Sequence, residues 1–260
     1  MSITPGIKHF LRWLAPAGIV GAHRRRFRMS RLGLPGCKQL AEAVETCRYE
    51  LWPDFLRRRE EPWTLVDVGA NEGDFLSAVG QLAELKSVFA YEPLPVCHSS
   101  LEKRLQNMKS GHLFQAAVGA SAGELIINFT GDSKMSSALK PKSEVSAAYQ
   151  AHDFEIKEKL TVSVVTLDET LPADAEIGLL KVDVQGFEME VFRGAEQTLA
   201  RSRAVLLEVN YVQHYEGGAT FDVMFEFLRE RGFRIHGISA PYGGGPEGPL
   251  WADAMFVKQQ

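Results

Sequence analysis

Ten residues, VDVGANEGDF from Val66 to Phe75, hold an acid, an asparagine and two glycines in one turn. An apolar β-rich run precedes them and a helix-period segment follows from Asp74. Glycine lets a backbone take positive φ and approach a ligand closely. The helix start that follows presents free N–H groups. A dinucleotide loop has this outline, but its pattern is G-x-G-x-x-G. Here the spacing is G-x-x-x-G, and Asp67 stands two positions before the first glycine. A carboxylate there would repel a pyrophosphate and suit a cation. S-adenosylmethionine carries both an ammonium and a sulfonium, so Asp67, Gly69, Asn71, Gly73 and Phe75 are the expected contacts for that cofactor. Glu92, in FAYEP, ends the next strand-like run 23 residues after Gly69. An acid at that place can accept both hydroxyls of an adenosine ribose. Gln115 and Ala116 fall at the end of the third expected strand, where the adenine edge would lie.

A second group of polar residues follows in KVDVQGFEMEVFRGA. Asp183 ends one strand-like run, with Gln185, Gly186 and Glu188 at the turn and helix start beyond it. The next run delivers Glu208, Asn210 and Tyr211 to the same edge. Polar groups gathered above a sheet cost free energy unless they are paired, so they call for a reason. Methyl transfer to an alcohol needs the acceptor aligned in line with the sulfonium and its proton removed. His214, four residues past Asn210, is the expected base because imidazole titrates near neutrality. Asp183 or Glu208 could take that role. Asn210 and Tyr211 are expected substrate contacts. Asp183, Glu208 and Asn210 are also hard oxygen donors that could hold Mg²⁺.

These residues need a sheet whose strands end at one edge. From residue 63 onward, β-rich runs at 64–68, 87–91, 112–118, 178–184, 204–209, 234–239 and 254–257 alternate with helix-period segments. The helices are expected at 74–85, 96–108, 186–199 and 221–231. That alternation predicts βαβ units in a doubly wound, mostly parallel α/β sheet of seven strands. Right-handed crossovers and ligand binding beyond the carboxyl ends of the strands follow from it. Two further runs, 124–129 and 160–165, break the alternation and predict an inserted β-hairpin. The polar stretch between them is expected to be a loop, with a helix near 144–151. The Gly/Pro-rich stretch 241–249 joins two late strands as a loop.

Together the motifs resemble the FkbM family of class I methyltransferases. The resemblance rests on VDVGANEGDF, FAYEP, AAVGASAG with a strand after Gly123, KVDVQGFEMEVFRGA and LLEVN. MSSAL, from Met135 to Leu139, is similar to the family's Ser-Ser element and makes Ser136 and Ser137 expected substrate contacts. The motifs span about two thirds of the chain. The resemblance implies transfer of a methyl group to a hydroxyl oxygen of a sugar, a glycan or a polyketide-type small molecule. It also implies a Rossmann-like methyltransferase domain, expected over 61–260; residues 1–60, outside the resemblance, read as a helical extension from the helical spacing of apolar residues between Cys37 and Phe55.

Composition agrees with an ordinary enzyme. The 260 residues carry 29 Lys and Arg against 33 Asp and Glu, a net charge of −4, and 45% are hydrophobic. That content can bury a full core. Cys37, Cys47 and Cys97 are odd in number and hold no C-x-x-C pair. A disulfide framework or a zinc site is not expected, and a reducing cytoplasm is. Charge is uneven: residues 1–35 carry seven Lys or Arg and no acid, with Phe10, Leu11, Trp13 and Leu14 among them. Such a segment can lie on an anionic membrane surface or pack as a helix on the domain. No nucleic-acid module accompanies it, so no nucleic-acid partner is expected. An RNA or protein acceptor, a nicotinamide-dependent oxidoreductase and a non-catalytic scaffold are the rival readings. Val-Gln-Gly after the fourth strand, in place of Pro-Pro-Tyr or Pro-Pro-Trp, argues against a nitrogen of adenine as acceptor.

Overall fold

The computed structural model describes residues 37–58, 60–142, 155–243 and 248–259. The basic segment 1–35 and the helix expected near 144–151 lie outside the described residues. The chain opens with α1 (Cys37–Thr46), a 3₁₀ turn (Tyr49–Leu51) and α2 (Asp54–Arg57). Next come β1 (Trp63–Val68), α3 (Asp74–Leu82), β2 (Leu85–Tyr91), α4 (Pro95–Leu105) and β3 (Gly111–Phe114). β4 (Ala117–Val118), β5 (Gly123–Phe129) and β6 (Glu158–Val165) follow, then α5 (Leu167–Thr170). The last part runs β7 (Ile177–Val182), α6 (Glu188–Arg193), α7 (Glu196–Ala200), β8 (Ser202–Asn210), α8 (Phe221–Glu230), β9 (Phe233–Ile238) and β10 (Trp251–Lys258).

Seven strands form the main sheet in the order β3-β2-β1-β7-β8-β10-β9. All pairs are parallel except those made by β10, which runs antiparallel between β8 and β9. The order reverses direction between β1 and β7. That is the switch point where an open α/β sheet leaves a crevice for ligands. β1 and β7 are buried at every position, as central parallel strands covered on both faces should be. The expected doubly wound α/β fold is therefore the fold of this chain.

Two expected elements take a different form. The strand expected over 112–118 is two. Gly111–Phe114 is the edge strand of the main sheet, and Ala117–Val118 crosses to a second sheet, where it pairs with Val164–Val165. The break falls at Gln115, an exposed residue whose amide donates to Glu102. β5 and β6 form the expected hairpin, which β4 widens to three strands. The helix expected over 186–199 starts only at Glu188 and divides at Gly194. A Cβ on Gly194 would sit 2.0 Å from the Gly119 carbonyl oxygen, so the close backbone approach requires glycine there.

The boundary expected at residue 60 is not a break in packing. Cys47, Leu51, Trp52 and Leu56 are buried in the same cluster as Leu65, Leu76 and Val79 of the sheet layer. Trp52 meets Trp63 edge-on at 5.7 Å between ring centroids. Among the described residues, no helix is long and apolar enough to cross a membrane.

Candidate active site

The strand ends at the switch point surround a cavity of about 460 Å³, a size typical of small-ligand pockets. Its floor is the turn after β1. Gly69 takes φ +76°, and its N–H and that of Ala70 donate to the Tyr91 carbonyl at 3.0 and 3.1 Å. A Cβ at Gly69 would stand 1.9 Å from the carbonyl oxygen of Asp183. Only glycine fits between the two strand ends, because the Asp183 carbonyl occupies the place a side chain would take. Asn71 is also left-handed, at φ 50°. Its N–H donates to Glu92 Oε2 at 2.7 Å, and the Leu94 N–H donates to Oε1 at 2.8 Å. These bonds hold the buried Glu92 carboxylate against the cavity and oppose the upward pKa shift that burial causes.

Asp67 lies beneath this floor, fully buried and outside the cavity lining. The cation beside it belongs to the chain. Lys181 on β7 pairs with Asp67 in the strand register, and its ammonium lies 3.1 Å from Asp67 Oδ1. The same ammonium donates to the Gly69 carbonyl at 2.8 Å and lies 3.5 Å from Asp183 Oδ2. Burial alone would lower the Lys181 pKa, but Asp67 and Asp183 outweigh it and raise it, so the lysine is charged. Asp67 Oδ2 is buried with no hydrogen-bond partner among the described residues.

The network continues past Asp183. Gln185 donates to Asp183 Oδ1 at 2.8 Å and accepts from the Tyr215 hydroxyl at 3.0 Å. Gln185 is left-handed at φ 52°, a costly conformation for this residue type, and such strain gathers at functional sites. Ser137 donates to the Gln185 carbonyl at 2.6 Å and so ties the MSSAL loop to this turn.

Acids dominate the far wall. Glu208 and Asp253 stand directly opposite in the β8–β10 register. Like charges so placed oppose each other. The Arg48 Nε bonds Asp253 at 2.5 Å and relieves part of that repulsion. Burial first, then the charges of Asp183, Glu188 and Asp253, push Glu208 well above the usual carboxylate range. Glu188 is raised to about 7, chiefly by burial, although it accepts from the Gly186 N–H at 3.0 Å. Burial lowers His214 to about 4.

Of the residues singled out from sequence, Gly69, Asn71, Phe75, Glu92, Ser136, Asp183, Glu208 and His214 line this one cavity. Others of the expected set are elsewhere. Gly73, at φ +85°, starts α3 and packs toward Leu101 and Arg104. Gln115 is exposed and away from the cavity, because the chain has already left the sheet edge. Ala116 and Ser137 line a small adjoining pocket of about 50 Å³. Asn210 is buried off the cavity, and Tyr211 packs on Phe221. Lys181, Tyr215, Arg48, Trp251 and Asp253 line the site and were not singled out from sequence for these positions. Lys181 did leave a signal, since a lysine inside the apolar run IGLLKV needs a buried partner. Arg48 left none, because its partner lies 205 residues away.

A magnesium site at Asp183, Glu208 and Asn210 finds no support. Among the described residues, no group of three or more His, Cys, Asp or Glu side chains could hold a metal ion. Asp183 is already engaged by Lys181 and Gln185, and Asn210 does not reach the cavity.

The model of the methyltransferase FkbM domain matches residues 67–235. The 31-O-demethyl-FK506 methyltransferase FkbM of Streptomyces tacrolimicus is 30% identical over 203 residues, which are 70% of this chain and 76% of that protein. The 2-O-methyltransferase NoeI of Sinorhizobium fredii is 26% identical over 173 residues, 63% of this chain and 70% of its own. A solved structure of a putative S-adenosylmethionine-dependent methyltransferase from Listeria monocytogenes aligns at 10% identity and a TM-score of 0.49. It covers 85% of this chain and 99% of its own, a likeness too slight to carry an assignment. The nicotinamide-dependent oxidoreductase is thereby set aside, and the chain belongs to the FkbM family of methyltransferases.

Proposed function

We propose that this enzyme transfers a methyl group from S-adenosylmethionine to a hydroxyl oxygen of a small-molecule or glycan acceptor, a sugar foremost. The observation that carries the reading is the cavity at the sheet's switch point, with a glycine cradle on one side and surplus acid on the other. Asp74, Glu92, Asp183, Glu208 and Asp253 line it against Arg48, Lys134 and Lys181. That balance suits a cation better than a phosphate. The residues therefore fit the cofactor: Gly69 and Asn71 line the turn beside the cavity, and Glu92, held by the Asn71 and Leu94 N–H groups, keeps lone pairs for ribose hydroxyls. When bound, S-adenosylmethionine supplies an electrophilic methyl group on a cationic sulfur.

The chain's own groups supply alignment and proton transfer. Of the three candidate bases, Glu208 faces the cavity with a raised pKa and takes the role. It takes the proton of the acceptor hydroxyl as the oxygen becomes nucleophilic. His214, held near 4, is neutral at physiological pH and too weak a base for that step. Its ring serves to orient the acceptor by hydrogen bonding. Asp183 is fixed by Lys181 and Gln185 and shapes the wall between the two ligands. The O-methyltransferase names of the FkbM and NoeI relatives support an oxygen acceptor. Cys47 and Cys97 are buried free thiols, which accords with a reducing cytoplasm.

The test is a cofactor-consumption screen against free sugars, nucleotide sugars and polyketide alcohols, with amines and RNA as controls. Turnover on a hydroxyl acceptor is the expected result. Turnover confined to the amine or RNA arm would overturn the acceptor assignment.

A further inference from the structure

A second concavity lies at the other end of the sheet. The starts of β7 and β8, the end of β10 and the start of β9 frame an open groove of about 880 Å³. It shares no lining residue with the active site. At about 3.3 Å per residue, roughly 17 Å of β8 separates Arg203 in the groove from Glu208 in the cavity. Arg201, Arg203, Arg234 and Lys258 line it against the one acid Glu176. In a chain with more acids than bases, that local balance is reversed.

None of the four cations is in an ion pair among the described residues. Three of them meet carbonyls or rings, which leave the charge uncancelled. The Arg203 guanidinium lies 3.9 Å over the Phe55 ring. Lys258 donates to the Arg231 carbonyl at 2.7 Å and lies 4.6 Å over Phe233. Arg201 donates to the Pro172 carbonyl. Stacked guanidinium groups are pre-ordered for the forked recognition of phosphate oxygens.

We propose that this groove binds a phosphate-bearing ligand of two or more negative charges, at a site separate from methyl transfer. The ligand class has two sources, a soluble pyrophosphate or the headgroups of an anionic lipid surface. The experiment uses the full chain and the charge-reversal variant R203E/R234E, with the milder R203Q/R234Q kept in case the first does not fold. Inorganic pyrophosphate is titrated by calorimetry. In a second arm, phosphatidylcholine vesicles with and without phosphatidylglycerol are sedimented with the protein. The expected result is binding in at least one arm, weakened tenfold or more in the variant, with S-adenosylmethionine affinity unchanged. The arm that responds names the source. No binding in either arm, or binding undiminished in both variants, overturns the proposal; the second outcome would assign the anion to the basic N-terminal segment.

Discussion

Replacing Lys181 with methionine removes the one cation that, among the described residues, pairs with Asp67. The two side chains are paired in the β1–β7 register, and Asp67 is wholly buried. Breaking a buried ion pair from one side costs about 3–5 kcal/mol, because the remaining charge has no solvent and no partner. The Gly69 carbonyl would lose its charged donor as well. These losses share one ammonium, so they do not add, and about 3–5 kcal/mol is the expected total. Against a typical domain stability of about 5–15 kcal/mol, that is a severe loss. The double variant D67N/K181M leaves no isolated charge, and it should recover most of the stability. Urea unfolding of wild type, K181M, D67N and D67N/K181M forms the cycle. A K181M loss below about 1 kcal/mol, or a double variant as unstable as the two single losses summed, would refute the ion pair as the support of the cofactor turn.

Other outcomes follow from the same geometry. E208Q should lower kcat by about 10²–10⁴-fold while leaving S-adenosylmethionine affinity within a few-fold, and H214A should cost far less. Equal losses in the two variants would contradict the choice of base. Glu208 acts only when deprotonated and its pKa is raised, so kcat should climb with pH through a value above the ordinary carboxylate range. That limb should vanish in E208Q, as pH–rate profiles would show. His214 is depressed from 6.5 to about 4 in the folded chain, so the unfolded chain takes up its proton first as pH falls. Stability should therefore decline between about pH 6.5 and 4, and H214F should flatten that slope in urea midpoints taken across the range. EDTA should leave turnover unchanged, and a loss restored by Mg²⁺ would reinstate the metal.

What could be read from sequence was local. The turn from Asp67 to Gly73 declares itself because its glycines and acid lie within seven residues. Glu92 and Asp183 were legible because strands that end at one edge bring their terminal residues together. Partners far apart in sequence were not legible. Lys181 meets Asp67 only through the register of two strands 114 residues apart, and Arg48 meets Asp253 across the whole domain. Asp67 thus acquired a cation from within the chain, where its charge alone suggested one from a ligand. The break at Gln115 was hidden because the run around it is apolar enough for one strand, and only the edge position of β3 lets the chain depart. His214 was chosen for its ordinary pKa, which burial changes.

The claim on which the rest depends is that the cradle at Gly69 holds S-adenosylmethionine. Calorimetric titration of the cofactor into wild type and G69A tests it most directly. The added Cβ would fall 1.9 Å from the Asp183 carbonyl oxygen, at a backbone φ of +76° that disfavours alanine. One-to-one binding to wild type, with at least a tenfold loss in a folded G69A, is the expected result. No binding to wild type, or equal binding to both proteins, would contradict the account.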